Sequence, residues 1–149
     1  MGVYITTSKN PSEKTKQLCR ALSSILPHSV YESRGRKSIE QVFRRARVLG
    51  KSRAVLVYET HGVPSRMCFM RIKAHSWKWI EDEIALSNFK IYKLPNYLPD
   101  ELAVSGRRKN ELEALFDFPQ PKGEEFIKLK SNSKKIIFSY KKPLLELIL

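Results

Sequence analysis

Between residues 34 and 53 the chain carries eight basic side chains: Arg34, Arg36, Lys37, Arg44, Arg45, Arg47, Lys51 and Arg53. The one acid among them is Glu40. Basic side chains neutralise phosphates and release their counterions, so a run this poor in acids suits a nucleic-acid backbone. Solvated helix faces also carry basic runs, but they ordinarily interleave both signs. A second stretch, "YITTSKNPSEKT" from Tyr4 to Thr15, ends like the tail of a phosphate-binding loop. Such a loop needs glycines that let its N–H groups close round the phosphates, and this stretch has none. Its Asn10-Pro11-Ser12-Glu13 run instead predicts a helix start, with Asn10 as N-cap, Pro11 at N1 and Glu13 at N3. Ser8, Lys9 and the N–H groups of that helix start remain candidates for one phosphate.

Enzymatic constellations are thin. Glu59 and His61 alternate on an extended segment and form the best acid/base pair on offer. Glu81-Asp82-Glu83 are adjacent and cannot all face one ion from a strand. His28, His61 and His75 are scattered, and Cys19 and Cys68 have no C-x-x-C spacing, so no zinc pattern forms. No catalytic residue, metal ligand or cofactor is therefore assigned. A nuclease centred on Glu59 and His61 stands as the enzymatic rival.

Composition agrees with the basic run. The 149 residues include 28 Lys and Arg against 15 Asp and Glu, a net charge of +13. Residues 1–60 hold 12 basic and 4 acidic side chains, so most of the excess lies there. An excess of that size self-repels in the compact state and points to a polyanionic partner. Nucleic acid is the leading class and an anionic membrane surface the second. No apolar run approaches the roughly 20 residues that span a bilayer, the N-terminus shows no signal-peptide pattern, and lone cysteines suit a reducing compartment. The expected location is cytoplasmic.

The positioning elements follow from periodicity. Val3 to Thr7 and Ser29 to Glu32 read as strands, and "AVLVY" within Arg53 to Glu59 as a buried central strand. Leu18, Leu22, Ile25 and Leu26 mark one helix face. Ile39, Val42, Phe43, Ala46 and Leu49 mark a second, capped by Ser38 and stopped at Gly50. Residues 3–59 thus read β-α-β-α-β, which implies a parallel sheet. Ligands gather beyond the carboxyl ends of such strands. Three loops leave there: Ser8 to Asn10, Ser33 to Lys37 and Thr60 to Arg66. Beyond them, Met67 to Lys73 and Ile84 to Leu94 read as strands with a Trp77/Trp79 segment between. Gly106 to Phe116 reads as helix, residues 126–130 and 136–140 as a hairpin, and "PLLELIL" as a buried last strand. Trp77 and Trp79 share one strand face, for core packing or for base stacking.

Three segments in register suggest a family. "ITTSKNPS" at 5–12, "SRGRKSI" at 33–39 and "AVLVYETHGVPSRM" at 54–67 resemble the Brix-domain proteins of ribosome biogenesis. The resemblance covers residues 3–73, with a fainter echo in "IALSNFKIY" at 84–92. The family usually has Arg where Lys9 stands, and its eukaryotic Gly-Pro-Thr segment is absent around Lys73 to Trp77. These departures point to a minimal archaeal-type member. The resemblance implies a single α/β Brix domain over residues 1–149, with an N-terminal half (1–60) and a related C-terminal half (61–149). Each half would be similar to the anticodon-binding domain of class IIa aminoacyl-tRNA synthetases. It implies a role in pre-rRNA processing and ribosomal subunit assembly through RNA binding, not catalysis. Partners would be rRNA or pre-rRNA, with ribosome assembly proteins as a further class; neither DNA nor a membrane would be expected. Ser8, Lys9, Arg34, Arg36, Lys37, Arg44, Arg45, Arg47 and Arg66 are the expected phosphate contacts. The alternatives are a tRNA- or structured-RNA-binding module outside ribosome assembly, and a protein-bridging scaffold using the apolar tail and the Trp pair.

Overall fold

Val3–Thr7 form β1, and all five residues are buried, as a central strand packed on both faces requires. A computed structural model describes residues 2–149. It continues with α1 (Glu13–Ile25), β2 (Val30–Tyr31), α2 (Ile39–Val48), β3 (Arg53–Thr60), β4 (Val63–Ile72) and β5 (Trp77–Ala85). β6 (Asn88–Ile91), β7 (Leu102–Gly106), α3 (Lys109–Phe116), β8 (Ile127–Ser131), β9 (Lys135–Tyr140) and β10 (Lys142–Ile148) complete the chain. The first sheet has the order β2-β1-β3-β4-β5 and the second β6-β10-β9-β8-β7. β1 pairs parallel with β2 and β3, as the β-α-β-α-β pattern predicts. β4 and β5 then add antiparallel to the same sheet. Residues 63–85 therefore extend the first sheet, and the second begins at Asn88.

The helix faces pack as their spacing predicts. Leu18, Cys19, Leu22, Ile25 and Leu26 of the α1 region are buried against Val3, Ile5, Val55 and Val57. That cluster continues through Phe69 of β4 and Leu112, Leu115 and Phe116 of α3 into Phe138 and Leu145 of the second sheet. On the opposite face of the first sheet, α2 buries Val42, Phe43 and Ala46 against Tyr4, Ala54, Leu56 and Met70. α2 carries a complete capping box: Ser38 Oγ accepts from the Gln41 N–H while the Gln41 side chain accepts from the Ser38 N–H. The apolar tail, β10, lies inside the second sheet between β6 and β9.

Three local expectations are corrected. The N-cap of α1 is Ser12, whose hydroxyl accepts from the Thr15 N–H; Asn10 instead takes a left-handed turn at φ 56°. Glu13 pairs with Arg20 at 2.9 Å and does not close a capping box. Trp77 and Trp79 lie within β5, and the expected strand from Ile84 to Leu94 breaks at Leu86 and Ser87. There the Leu86 N–H donates to Ser65 and the Ser87 N–H to Ile148, so the backbone changes sheets within two residues. Leu102–Gly106, of which only Gly106 fell in a predicted element, form β7 parallel to β8, and the helix expected from Gly106 begins at Lys109. Where β3 begins, buried Arg53 donates to the Ala114 carbonyl of α3 at 3.1 and 3.3 Å and lies 3.7 Å from Asp117. It ties the first sheet to the helix that connects β7 and β8 of the second.

Candidate nucleic-acid interface

The three loops leaving the carboxyl ends of the parallel strands are joined by direct hydrogen bonds. The Ser8 N–H donates to Val57 of β3 at 3.0 Å, and Arg34 Nη1 to the Thr7 carbonyl of β1 at 3.0 Å. Ser12 Oγ donates to the Gly62 carbonyl at 2.7 Å. His61 and Gly62, both at positive φ, make the two-residue turn between β3 and β4. The loops thus form one rim, as the β-α-β-α-β reading predicts.

The two helix starts on this rim are occupied from within. The Glu59 carboxylate accepts from the Ser12 N–H at 2.7 Å and from the Thr15 hydroxyl, and so supplies the negative charge that the start of α1 attracts. Among the N–H groups at this helix start, those of Ser12 and Thr15 donate within the chain, and so does that of Ser8. The α2 start is closed by Ser38 and Gln41, with Glu40 in its first turn.

Glu59 also has a testable signature. Burial pushes its carboxyl up, but the hydrogen bonds from Thr15 and Ser12 outweigh it and hold the pKa below the ordinary carboxylate range. Such a group stabilises the fold above the unfolded-state pKa and loses that contribution as pH falls through its lowered folded value. Glu59→Gln is expected to cost about 1 kcal/mol at neutral pH. The difference from the natural protein should shrink in thermal melts run from pH 7 to pH 3. A difference independent of pH would remove the charge-at-helix-start role.

The predicted basic residues divide by environment. Lys9 and Arg36 are exposed, with no ion pair or side-chain hydrogen bond among the described residues. Lys37 is half-buried and donates to the Ser33 carbonyl at 2.9 Å. Arg44 is exposed, 3.7 Å from Glu40. Arg47 donates to the Ala74 carbonyl at 3.0 Å and lies 5.2 Å over the Phe43 ring. Arg66 lies 4.8 Å over the Tyr58 ring and 3.7 Å from Glu83. Arg45 forks onto Glu32 at 2.9 and 2.8 Å. Arg34 is only 5% exposed and divides its guanidinium between Lys37 and Thr7. Its geometry is that of a strut holding the basic turn against β1.

Glu32 was not among the residues singled out from the sequence. The Arg45 hydrogen bonds, joined by one from the Tyr4 hydroxyl, hold its carboxyl below the usual range against the cost of burial. A lone acid ahead of a basic stretch carries no pattern that would have marked it.

No protein-family model matches the chain. It is similar to a Thermococcus kodakarensis protein named "probable Brix domain-containing ribosomal biogenesis protein", with 30% identity over 78 residues. A Saccharolobus solfataricus protein of the same name is 34% identical over 77 residues. The Brix resemblance holds. Both matches cover 52% of this chain, but only 38% and 45% of the respective relatives, so the match spans less than half their length. Among solved structures, a probable ribosomal biogenesis protein from Aeropyrum pernix K1 superposes with a TM-score of 0.83 at 20% identity, covering 98% of this chain and 93% of that one. An archaeal Imp4-like protein, Mil, superposes with a TM-score of 0.71 at 20% identity, covering 97% and 95%. Two five-stranded sheets with three helices are thus the fold this chain shares with these archaeal proteins.

Proposed function

We propose that this chain is an RNA-binding ribosome biogenesis factor that acts in pre-rRNA processing and subunit assembly by holding rRNA or pre-rRNA on the rim. One observation carries the reading: the loops bearing Lys9, Arg36 and Lys37 are drawn onto one rim beside the basic helix α2. The names of its archaeal Brix relatives support the assembly role. Lys9, Arg36, Lys37, Arg44, Arg47 and Arg66 contact phosphates in this proposal, and the Ser8 hydroxyl adds a hydrogen bond. Arg34 and Arg45 hold the surface in shape through Thr7, Lys37 and Glu32.

The proposal assigns no reaction, because Glu59 already serves the start of α1. It takes residues 1–149 as one Brix domain, supported by the apolar cluster common to both sheets. It retains the likeness of each half to the anticodon-binding domain of class IIa aminoacyl-tRNA synthetases, and a cytoplasmic location. Crosslinking in cells of the source organism followed by sequencing of the bound RNA tests the assignment. Enrichment of pre-rRNA is expected; enrichment of tRNA would move the protein to the rival reading.

A further inference from the structure

Beside the rim, on the sheet face that carries α2, Tyr58, Arg66, Cys68, Trp79 and Glu83 line an open concavity of about 300 Å³. Trp79 is 42% exposed there, an unusual position for the largest apolar side chain. Its orientation is built. Trp77 stands edge-on to it at 5.3 Å and 86°, and Trp77 is itself anchored by a 3.0 Å hydrogen bond from Nε1 to Glu40 of α2. A bulge sets Trp79 opposite Met70 and Glu83 opposite Cys68, which brings the indole and the carboxylate to the same face. The Cys68 thiol donates to Glu83 Oε2 at 3.2 Å, and burial followed by Glu83 pushes its pKa up to about 12, so it stays a neutral donor. Arg66 Cζ lies 4.8 Å over the Tyr58 ring and the guanidinium 3.7 Å from Glu83.

Resting on the RNA-binding reading above, we propose that this concavity takes one unpaired base of single-stranded RNA. The base stacks on Trp79, and Arg66 holds the adjoining phosphate. The charge favours RNA over an apolar partner: the chain is +13, and Arg66 borders the rim loops. An aromatic face beside a guanidinium is the pairing that single strands use. Glu83 supplies an acceptor in an otherwise basic surface, suited to a base that offers an amino N–H, as adenine, guanine and cytosine do and uracil does not. A duplex is excluded from the platform because its base faces are already stacked.

The test compares the natural protein, Trp79→Ala and Trp79→Phe against a single strand of roughly 12 nucleotides and a duplex of the same length. Trp79→Ala should weaken binding of the single strand about tenfold or more, with an unchanged salt slope and unchanged duplex binding. Trp79→Phe should keep most of the affinity. Single-strand RNA should quench a tryptophan emission that Trp79→Phe lacks, a readout that holds even if the Ala variant folds poorly. Absence of that quenching, or equal loss on strand and duplex, overturns the platform and leaves RNA binding on the rim intact. Absence of salt-dependent binding of any RNA by the natural protein overturns both.

Discussion

Replacing Lys9, Arg36, Lys37 and Arg44 together with Ala should lower RNA affinity by roughly one to two orders of magnitude at moderate salt, and flatten the salt dependence by about four units of slope. These four cations are held by little else. Lys9 and Arg36 have no side-chain partner among the described residues, Lys37 touches one carbonyl, and Arg44 lies 3.7 Å from a carboxylate. They are free to trade solvent for phosphate, and each such exchange releases about one counterion. The variant should keep its melting temperature, because none of the four packs in either core cluster. Arg34 and Arg45 are left in place deliberately. Truncating Arg34 would orphan the carbonyls of Thr7 and Lys37, and truncating Arg45 would leave Glu32 without its fork. Titrations of one RNA at four salt concentrations give both quantities. A slope within error of the natural protein would remove this rim as the RNA-binding face.

Phe116→Ala should destabilise the fold by about 3–5 kcal/mol, a large share of the 5–15 kcal/mol typical of a domain. Phe116 is 1% exposed and packs edge-on between Phe69 of β4, at 5.0 Å, and Phe138 of β9, at 6.4 Å. It is one of the side chains through which the two sheets share a core, so its loss leaves a cavity that both must collapse to fill. For a chain of this size the thermal midpoint should fall by roughly 6–20 °C. Phe116→Leu should lose much less. Below its midpoint the Ala variant should bind RNA with an unchanged salt slope, which separates core damage from surface damage. A loss under about 1 kcal/mol in chemical denaturation would show that the sheets do not depend on this contact.

The two effects separate because the sequence divides its labour. Cations cluster in residues 34–53, while apolar side chains recur at helical or strand spacing within that stretch and on either side of it. β1, β3, both long helices and the hairpin of β8 and β9 were legible for that reason, since apolar period and capping chemistry are local properties. Ser38 announced its helix because a capping residue stands directly before the apolar period of Ile39, Val42 and Phe43. Asn10 misled by the same logic: it stands before a proline as an N-cap would. The backbone instead turns left-handed there, and Ser12 caps the helix under a carboxylate from 47 residues away. β7 and the break at Leu86 and Ser87 had no local signature either, since both are set by the strand that happens to lie alongside.

By itself the sequence determined that the first third is a basic β-α-β-α-β unit, that its loops leave from one end of a parallel sheet, and which three segments resemble the Brix proteins. Only the tertiary structure decided which cations are available. Arg34 and Arg36 are two residues apart and chemically identical, yet one is buried against the end of β1 and the other is exposed. It also decided that the α1 start belongs to Glu59 and that Trp79 stands in the open beside Arg66. The reason is physical. Charge and periodicity are carried residue by residue along the chain, whereas desolvation and pairing depend on what another segment brings within about 3 Å.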